Sequence, residues 1–261
     1  MVLNRSTSCS ISMFPTGSVI TTNGFRFTDA QNYHAISKLN EEPIKRLNVS
    51  NGSKRMSFCC AISNKNGFVM VSDSRSTVLG EDGGIKSIQD GFQKIAFLEQ
   101  SKLGVVCGGT NVIEGMTAIN RILSMDVKIS QQKTLKEQIK TIGENLKCCT
   151  FPKTITVCIA SALFSEMAFV EVKSHEIIKM SEDRFWYFSP YNLFVKSLYV
   201  EDDIVYVDWE NMDLHTLTDF AKHLLQTGKA IARFRSDYVP VIGGEDQILV
   251  VDCFGHIIER Q

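Results

Sequence analysis

The stretch "MSFCCAISNKNGFVMVSDSRST", residues 56–77, decides how this chain is read. Two apolar runs, at about 57 to 63 and 67 to 72, flank Asn64-Lys65-Asn66-Gly67, residues that tolerate the backbone angles of a tight turn. The pattern predicts a β-hairpin. Its second strand runs straight into Asp73-Ser74-Arg75, which puts charges where the chain should be entering the core. Such residues form either a turn-edge ion pair or part of a site.

Downstream of the hairpin, apolar runs at about 93 to 98 and 102 to 107 are separated by Gly, Ser and polar turns. They read, with the hairpin, as consecutive strands of one sheet. The period then changes. Ile113, Met116, Ile119 and Leu123 step by three and four, as do Leu135, Ile139, Ile142 and Leu146. This predicts two amphipathic helices joined by a short Lys/Gln linker. Strand signals return at 154 to 160, 167 to 173 and 176 to 180 as a second meander, and Asp213 caps a last helix carrying Leu217, Phe220, Leu224 and Ile231 on one face. "DQILVVDCFGHIIER", residues 246–260, closes the chain as a hairpin turning at Gly255.

Two sheets interrupted by helices that must cover their outer faces predict an α+β fold, a four-layer α-β-β-α sandwich with antiparallel sheets. A doubly wound parallel fold would need a regular β-α alternation that is absent. Residues 1–55 differ in texture: they are rich in Ser, Thr and Asn and have no acidic residue before Asp29. They read as an N-terminal extension, whether propeptide, transit segment, disordered tail or the product of a start codon upstream of the true one at Met56. Residues 56–261 form the folded domain.

Twenty-eight Lys and Arg against 29 Asp and Glu give a formal charge of −1, so no basic surplus points to nucleic acid or to an anionic membrane surface. No apolar run approaches the roughly 20 residues that span a bilayer, which points to a soluble, cytoplasmic protein. Organellar import of the 1–55 segment stays open. The eight cysteines lack any CxxC spacing, and the doublets Cys59-Cys60 and Cys148-Cys149 cannot readily grip one tetrahedral ion. They read as reduced thiols used as small core residues, with no metal and no cofactor.

Four pieces in order resemble the proteasome β-subunit and HslV-like branch of the N-terminal nucleophile (Ntn) hydrolases. Ser57 heads the hairpin, Gly67 makes its turn, "DSRST" runs from Asp73 to Thr77, and "KIAFLEQSKLGVVCGG" runs from Lys94 to Gly109. The resemblance covers roughly Ser57 to Ile122, and "GGEDQILVVDCFGHI", residues 243–257, is similar to the last hairpin of that family. It is thin between about 180 and 240, and the loop from Arg75 to Lys94 is a few residues longer than usual.

The resemblance implies an Ntn hydrolase fold and a threonine/serine-type endopeptidase or amidohydrolase that cleaves peptide bonds through an acyl-enzyme on Ser57. A hydroxyl at a chain terminus can be activated by its own α-amine, whose pKa near 8 leaves part of it unprotonated at neutral pH. Lys94 places an ammonium beside that hydroxyl, Asp73 orients the lysine, and the N–H of Gly108 faces the oxyanion. Arg75 braces Asp73 or nearby loops; Ser189 and Asp237 are weaker matches to the helper serine and acid of the family. The implied partners are peptide or protein substrates, further copies of the chain in rings, and a regulatory ATPase.

The chain departs from the family pattern at two points. Serine replaces the usual threonine, which keeps the hydroxyl and loses the methyl that restrains χ1. Met56 stands where self-processing subunits have glycine. Either translation begins at Met56 and methionine removal exposes Ser57, or the extension stays attached and the protein is a non-catalytic, structural proteasome-like subunit. A third reading is a small-amide acylase on the same fold.

Overall fold

In the computed structural model, which describes residues 19–20, 26–27, 57–79, 85–151, 153–162, 166–188, 207–234 and 242–261, the chain turns at Lys65-Asn66 between two antiparallel strands. The chain divides into two units, Met1–Gly52 and Ser53–Gln261. In the first, β1 (Val19–Ile20) pairs antiparallel with β2 (Arg26–Phe27). The remaining elements of the described residues lie in the second.

The hairpin read from residues 56–77 is β3 (Cys59–Asn64) and β4 (Gly67–Asp73), buried along their whole length. Strands covered on both faces read as continuous apolar runs, which is why their sequence lacks a clean alternation. The turn is held by its asparagines: Asn64 Oδ1 accepts from Asn66 N at 2.9 Å, while Asn64 Nδ2 donates to Trp209 O at 2.8 Å. Gly67 has φ 140°, and a Cβ there would lie 2.1 Å from Val251 O, so close backbone approach demands glycine.

The long loop between Arg75 and Lys94 holds a further hairpin, β5 (Ser76–Leu79) with β6 (Ile85–Gln89). β7 (Ile95–Leu98) and β8 (Leu103–Gly109) follow. They do not extend the β3–β4 sheet, as consecutive strands were expected to. They pair instead with β11 (Ile155–Ser161), β12 (Glu166–Lys173) and β13 (Glu176–Asp183), in the antiparallel order β13-β12-β11-β8-β7. The other five-stranded sheet has the order β14-β3-β4-β15-β16, from β14 (Phe185–Phe188), β15 (Asp246–Asp252) and β16 (Ile257–Arg260).

The first helix is shorter than the apolar spacing predicted. Val112–Ile113 (β9) and Met116–Thr117 (β10) form a small hairpin around Glu114 and Gly115, whose φ values of 50° and 80° no helix accommodates. Ile113 reaches the core from a strand, mimicking a helical step. Helix α1 (Ala118–Leu123) starts at Thr117, whose side chain accepts from Asn120 N at 3.2 Å. The expected linker contains α2 (Asp126–Ser130), and α3 (Leu135–Lys147) opens with a capping box of Thr134 and Glu137. The last helix is α4 (Leu214–Phe234), with Asp213 Oδ1 accepting from Thr216 N at 2.7 Å at its start.

Among the described residues, three apolar clusters fill this unit. One joins α1, α2 and α3 to β8, β11 and β12, through Ile119, Ile139 and Leu146 against Val105, Val157 and Val170. A second joins residues of both sheets, including Ala61, Met70 and Leu249 with Val106, Cys158 and Met167. A third joins α4, through Leu217, Ala221 and Leu225, to Cys60, Ile62, Val69 and Val71. Gly104 of β8 leaves room for the Phe68 ring of the other sheet, which a Cβ would meet at 2.4 Å. This is a mixed α+β fold of antiparallel sheets, compatible with a sandwich.

Candidate active site

The β3–β4 register sets Cys59 opposite Ser72, so the chain on either side brings Ser57 and Phe58 to Asp73. Phe58 N donates to Asp73 Oδ1 at 2.9 Å, and Asp73 N donates to Phe58 O at 3.1 Å. Lys94, one residue ahead of β7, enters this corner. Its Nζ lies 3.0 Å from Ser57 Oγ, 2.9 Å from Asp73 Oδ1 and 2.7 Å from Arg75 O. Ser57, Asp73 and Lys94 are 3%, 0% and 1% exposed, so the group is buried.

A buried carboxylate and a buried ammonium are tolerated only when the remaining lone pairs and protons are also satisfied. Asp73 meets this condition. Oδ1 accepts from Phe58 N and Lys94 Nζ, and Oδ2 accepts from Arg75 N at 3.2 Å and Gly243 N at 3.1 Å. The three contacts of Lys94 Nζ match the three donors of an ammonium. Two of its partners, a carboxylate and a carbonyl, only accept. The contact with Ser57 differs because a hydroxyl can also donate. A proton can therefore pass along that one contact while the other two bonds keep their direction.

Each residue of Asp73-Ser74-Arg75 has its own task. Ser74 Oγ accepts from Glu245 N at 2.8 Å and from Gly91 N at 3.3 Å, tying two loops to the strand end. The Arg75 guanidinium makes a bidentate pair with Asp90, Nε to Oδ1 at 2.8 Å and Nη2 to Oδ2 at 2.9 Å, which closes the base of the β5–β6 hairpin. This pairing holds the Asp90 carboxyl below its usual range, with the hydrogen bond from Arg75 as the largest cause. The guanidinium also lies against Gly243, where a Cβ would come within 2.5 Å of Cζ. Arg75 thus braces loops with its side chain and holds Asp73 and Lys94 with its backbone.

Gly108 stands in β8 opposite Thr156, next to Cys107, whose amide donates to Lys94 O at 2.9 Å. Its lack of a side chain has a packing reason, since a Cβ would meet the Phe188 ring at 2.6 Å. Among the described residues, no hydrogen bond joins it to Ser57, Asp73 or Lys94. Ser189 and Asp237 lie outside the described residues. The sequence reading did not identify Gly243, Asp90 or Gln247, which hold Asp73, Arg75 and the Lys94 backbone. The sequence offers Gly243-Gly244 only as the head of the closing hairpin, and a glycine pair alone does not show that its amide reaches Asp73.

Burial drives the thiol of Cys59, beside this group, up to about 12; the nearby Lys94 opposes the shift and Asp73 adds to it. Its Sγ donates to Cys107 O at 3.3 Å. Cys60, Cys107 and Cys158 are also raised by burial and are core residues. Among the described residues, no group of three or more His, Cys, Asp or Glu is placed to hold a metal ion. A cleft lined by Gln93, Ile95, Gln247, Leu249 and Arg260 borders the backbone on either side of Lys94, but Ser57, Asp73 and Lys94 do not line it. The chemistry-bearing atoms, and not this cleft, define the candidate site.

Among solved structures, the chain is similar to an Anbu (Gly-1) mutant from Hyphomicrobium sp. strain MC1, with a TM-score of 0.52 and 13% sequence identity, over 78% of this chain and 86% of that one. The fold is proteasome-like. At this identity the likeness is one of fold alone. No protein-family model and no curated protein matches the sequence. Within the proteasome-like fold, the Ser57–Lys94–Asp73 group lies where β3 and β4 meet the start of β7.

Proposed function

We propose that residues 56–261 form an Ntn amidohydrolase that cleaves peptide bonds once Ser57 is the first residue. In this reading the domain is a four-layer α-β-β-α sandwich, supported by apolar clusters on both sides of each five-stranded sheet. The observation that carries the function is the buried contact of Lys94 Nζ with both Ser57 Oγ, at 3.0 Å, and Asp73 Oδ1, at 2.9 Å.

The freed α-amine of Ser57 takes the hydroxyl proton, and Oγ attacks the substrate carbonyl carbon. The Gly108 amide faces the oxyanion. Collapse breaks the C–N bond, the amine leaves with the proton, and water then hydrolyses the ester on Ser57. Lys94 favours the oxyanionic form of Ser57, and Asp73 keeps Lys94 in place. Peptides or proteins are the substrates. Ring-forming copies, a regulatory ATPase and a cytoplasmic setting belong to the same reading. Among the described residues, no helix is long and apolar enough to cross a membrane.

A second reading, a structural subunit that does not cut, is favoured by one fact. In the full chain the nitrogen of Ser57 is an amide to Met56 and cannot act as a base. N-terminal sequencing and intact mass of the protein from its native source decide between them, together with turnover of a fluorogenic peptide. A free Ser57 with turnover supports the hydrolase, whereas a retained 1–55 segment without turnover supports the structural subunit.

A further inference from the structure

The position of Lys94 depends on a residue from the opposite sheet. Lys94 stands at the entry to β7, an edge strand. Its carbonyl is held by Cys107 N of β8. Its amide, by contrast, donates to Gln247 Oε1 at 2.7 Å, and the next amide, Ile95 N, points to the same oxygen at 3.3 Å. Gln247 Nε2 donates to Phe92 O at 2.6 Å, and Ser72 Oγ lies 3.5 Å from Oε1. One glutamine side chain therefore grips the backbone at residues 92, 94 and 95.

The orientation of that amide follows from its partners. Two N–H groups face one end and a carbonyl faces the other, so a flipped amide would set donor against donor. Gln247 does for this edge what a neighbouring strand would do, from a side chain of β15. In the same segment Gly243 N holds Asp73 Oδ2 at 3.1 Å, and Asp246 pairs with Asp73 in the β4–β15 register. Residues 243–247 thus fix both members of the Asp73–Lys94 ion pair, one through a backbone amide and the other through a side chain.

We propose that Gln247 is a positioning residue for Lys94, setting the direction from which its ammonium reaches Ser57 and Asp73. The lysine stem is long, so a small rotation at its backbone displaces Nζ, and a misplacement of about 1 Å costs on the order of 10²-fold in rate. This inference rests on the reading of Lys94 as part of the reacting group.

The test uses Gln247→Met, which keeps length and volume without hydrogen bonds, and Gln247→Glu, which keeps an acceptor for Lys94 N and Ile95 N, in the full chain for the spectroscopic readouts and in protein whose Ser57 is the first residue for turnover. Amide exchange at Lys94 and Ile95 and the NMR chemical shift of the Lys94 ε-ammonium are measured beside peptide turnover. In Gln247→Met the two amides should exchange about tenfold faster or more, and the ε-ammonium signal should move. kcat should fall on the order of 10²-fold, with KM within about twofold. Gln247→Glu should restore most of the protection, and it carries the test should the methionine variant fail to fold. A merely structural glutamine would lower the melting temperature and leave the ε-ammonium signal where it is. Unchanged exchange and an unmoved ε-ammonium signal in a folded variant overturn the proposal. If the unaltered protein, with Ser57 shown to be free, turns over no peptide while the ε-ammonium signal still moves in the variant, the positioning role stands and the hydrolase reading falls.

Discussion

Asp73 Oδ1 lies 2.9 Å from Lys94 Nζ, and the two side chains are 0% and 1% exposed. Two charges so deeply buried stabilise a fold only as a pair, because removing one leaves the other uncompensated. Lys94→Met should therefore lower the unfolding free energy by about 3–5 kcal/mol. Adding Asp73→Asn removes the stranded carboxylate, so the double variant should be less destabilised than the sum of the two single variants. Urea unfolding of the four proteins measures this coupling. Costs that simply add would show that the pair is not the unit described.

The contact between Lys94 and Ser57 carries a prediction about activity. On protein whose Ser57 is the first residue, Ser57→Ala and Lys94→Ala should each reduce peptide turnover by at least about 10³-fold. Ser57→Thr keeps the hydroxyl and adds a methyl that restrains χ1, so it should retain turnover within about tenfold. Steady-state assays with a fluorogenic peptide check all three. Turnover equal to that of the unaltered protein in either alanine variant would remove that residue from the mechanism.

The part of the site that could be read from the sequence is the part fixed by local geometry. A hairpin turning at Lys65-Asn66 returns Asp73 to Phe58 by register alone, so the spacing from Ser57 through Gly67 to Asp73 already places these residues together. Lys94 was legible only through the resemblance, because nothing local says that the entry to β7 turns back to that corner. The partner sheet of β7 and β8 was not legible for a related reason: alternation assigns faces to a strand but does not choose its neighbour. The first four strands were accordingly assigned to one sheet, when they divide between two. Phe185–Phe188 offered four aromatics with no alternation and was missed, although it pairs with β3 as an edge strand. Gln247 left no signal, since a lone glutamine at the head of a strand is ordinarily a solvated residue.

Gly108 should resist substitution for reasons of packing. A methyl group there would meet Phe188 Cδ1 and Cγ at 2.6 and 2.7 Å, at the inner side of the ring and not at a flexible tip. Overpacking of this kind costs about 1–3 kcal/mol, so Gly108→Ala should lower stability by that amount. Phe188→Leu in the same chain should return part of it. Chemical unfolding of the single and double variants tests this; equal loss with either residue at 188 would place the strain elsewhere.

Cys59 sits beside a lysine yet should be inert. Burial pushes its thiol up to about 12, so at pH 8 only roughly one molecule in 10⁴ carries a thiolate there, and the sulfur is closed to solvent as well. Cys148 is exposed. Iodoacetamide on the native protein should label Cys148 well before Cys59, and unfolding should remove the difference. Peptide mapping by mass spectrometry reads the order. Early labelling of Cys59 would show that the corner holding Ser57 and Lys94 opens to solvent.

The Arg75–Asp90 pair gives the base of the β5–β6 hairpin a pH-dependent contact. The Asp90 carboxyl is held below its ordinary range by the guanidinium, so its folded-state value is depressed relative to the unfolded chain. A depressed carboxyl contributes stability that is present above the unfolded value and is lost as pH falls through the folded one. The bond that closes the β5–β6 hairpin should therefore persist at neutral pH and release only below the usual carboxylate range. Arg75 O is also an acceptor for Lys94 Nζ, so the hairpin base and the lysine share this one residue. A carboxyl-carbon NMR titration should show Asp90 below the ordinary range in the unaltered protein and within it in Arg75→Ala. Arg75→Lys should fall between them, because a single ammonium cannot reproduce the two parallel bonds. An Asp90 midpoint that does not respond to either change would mean that the bidentate pair is not formed in solution.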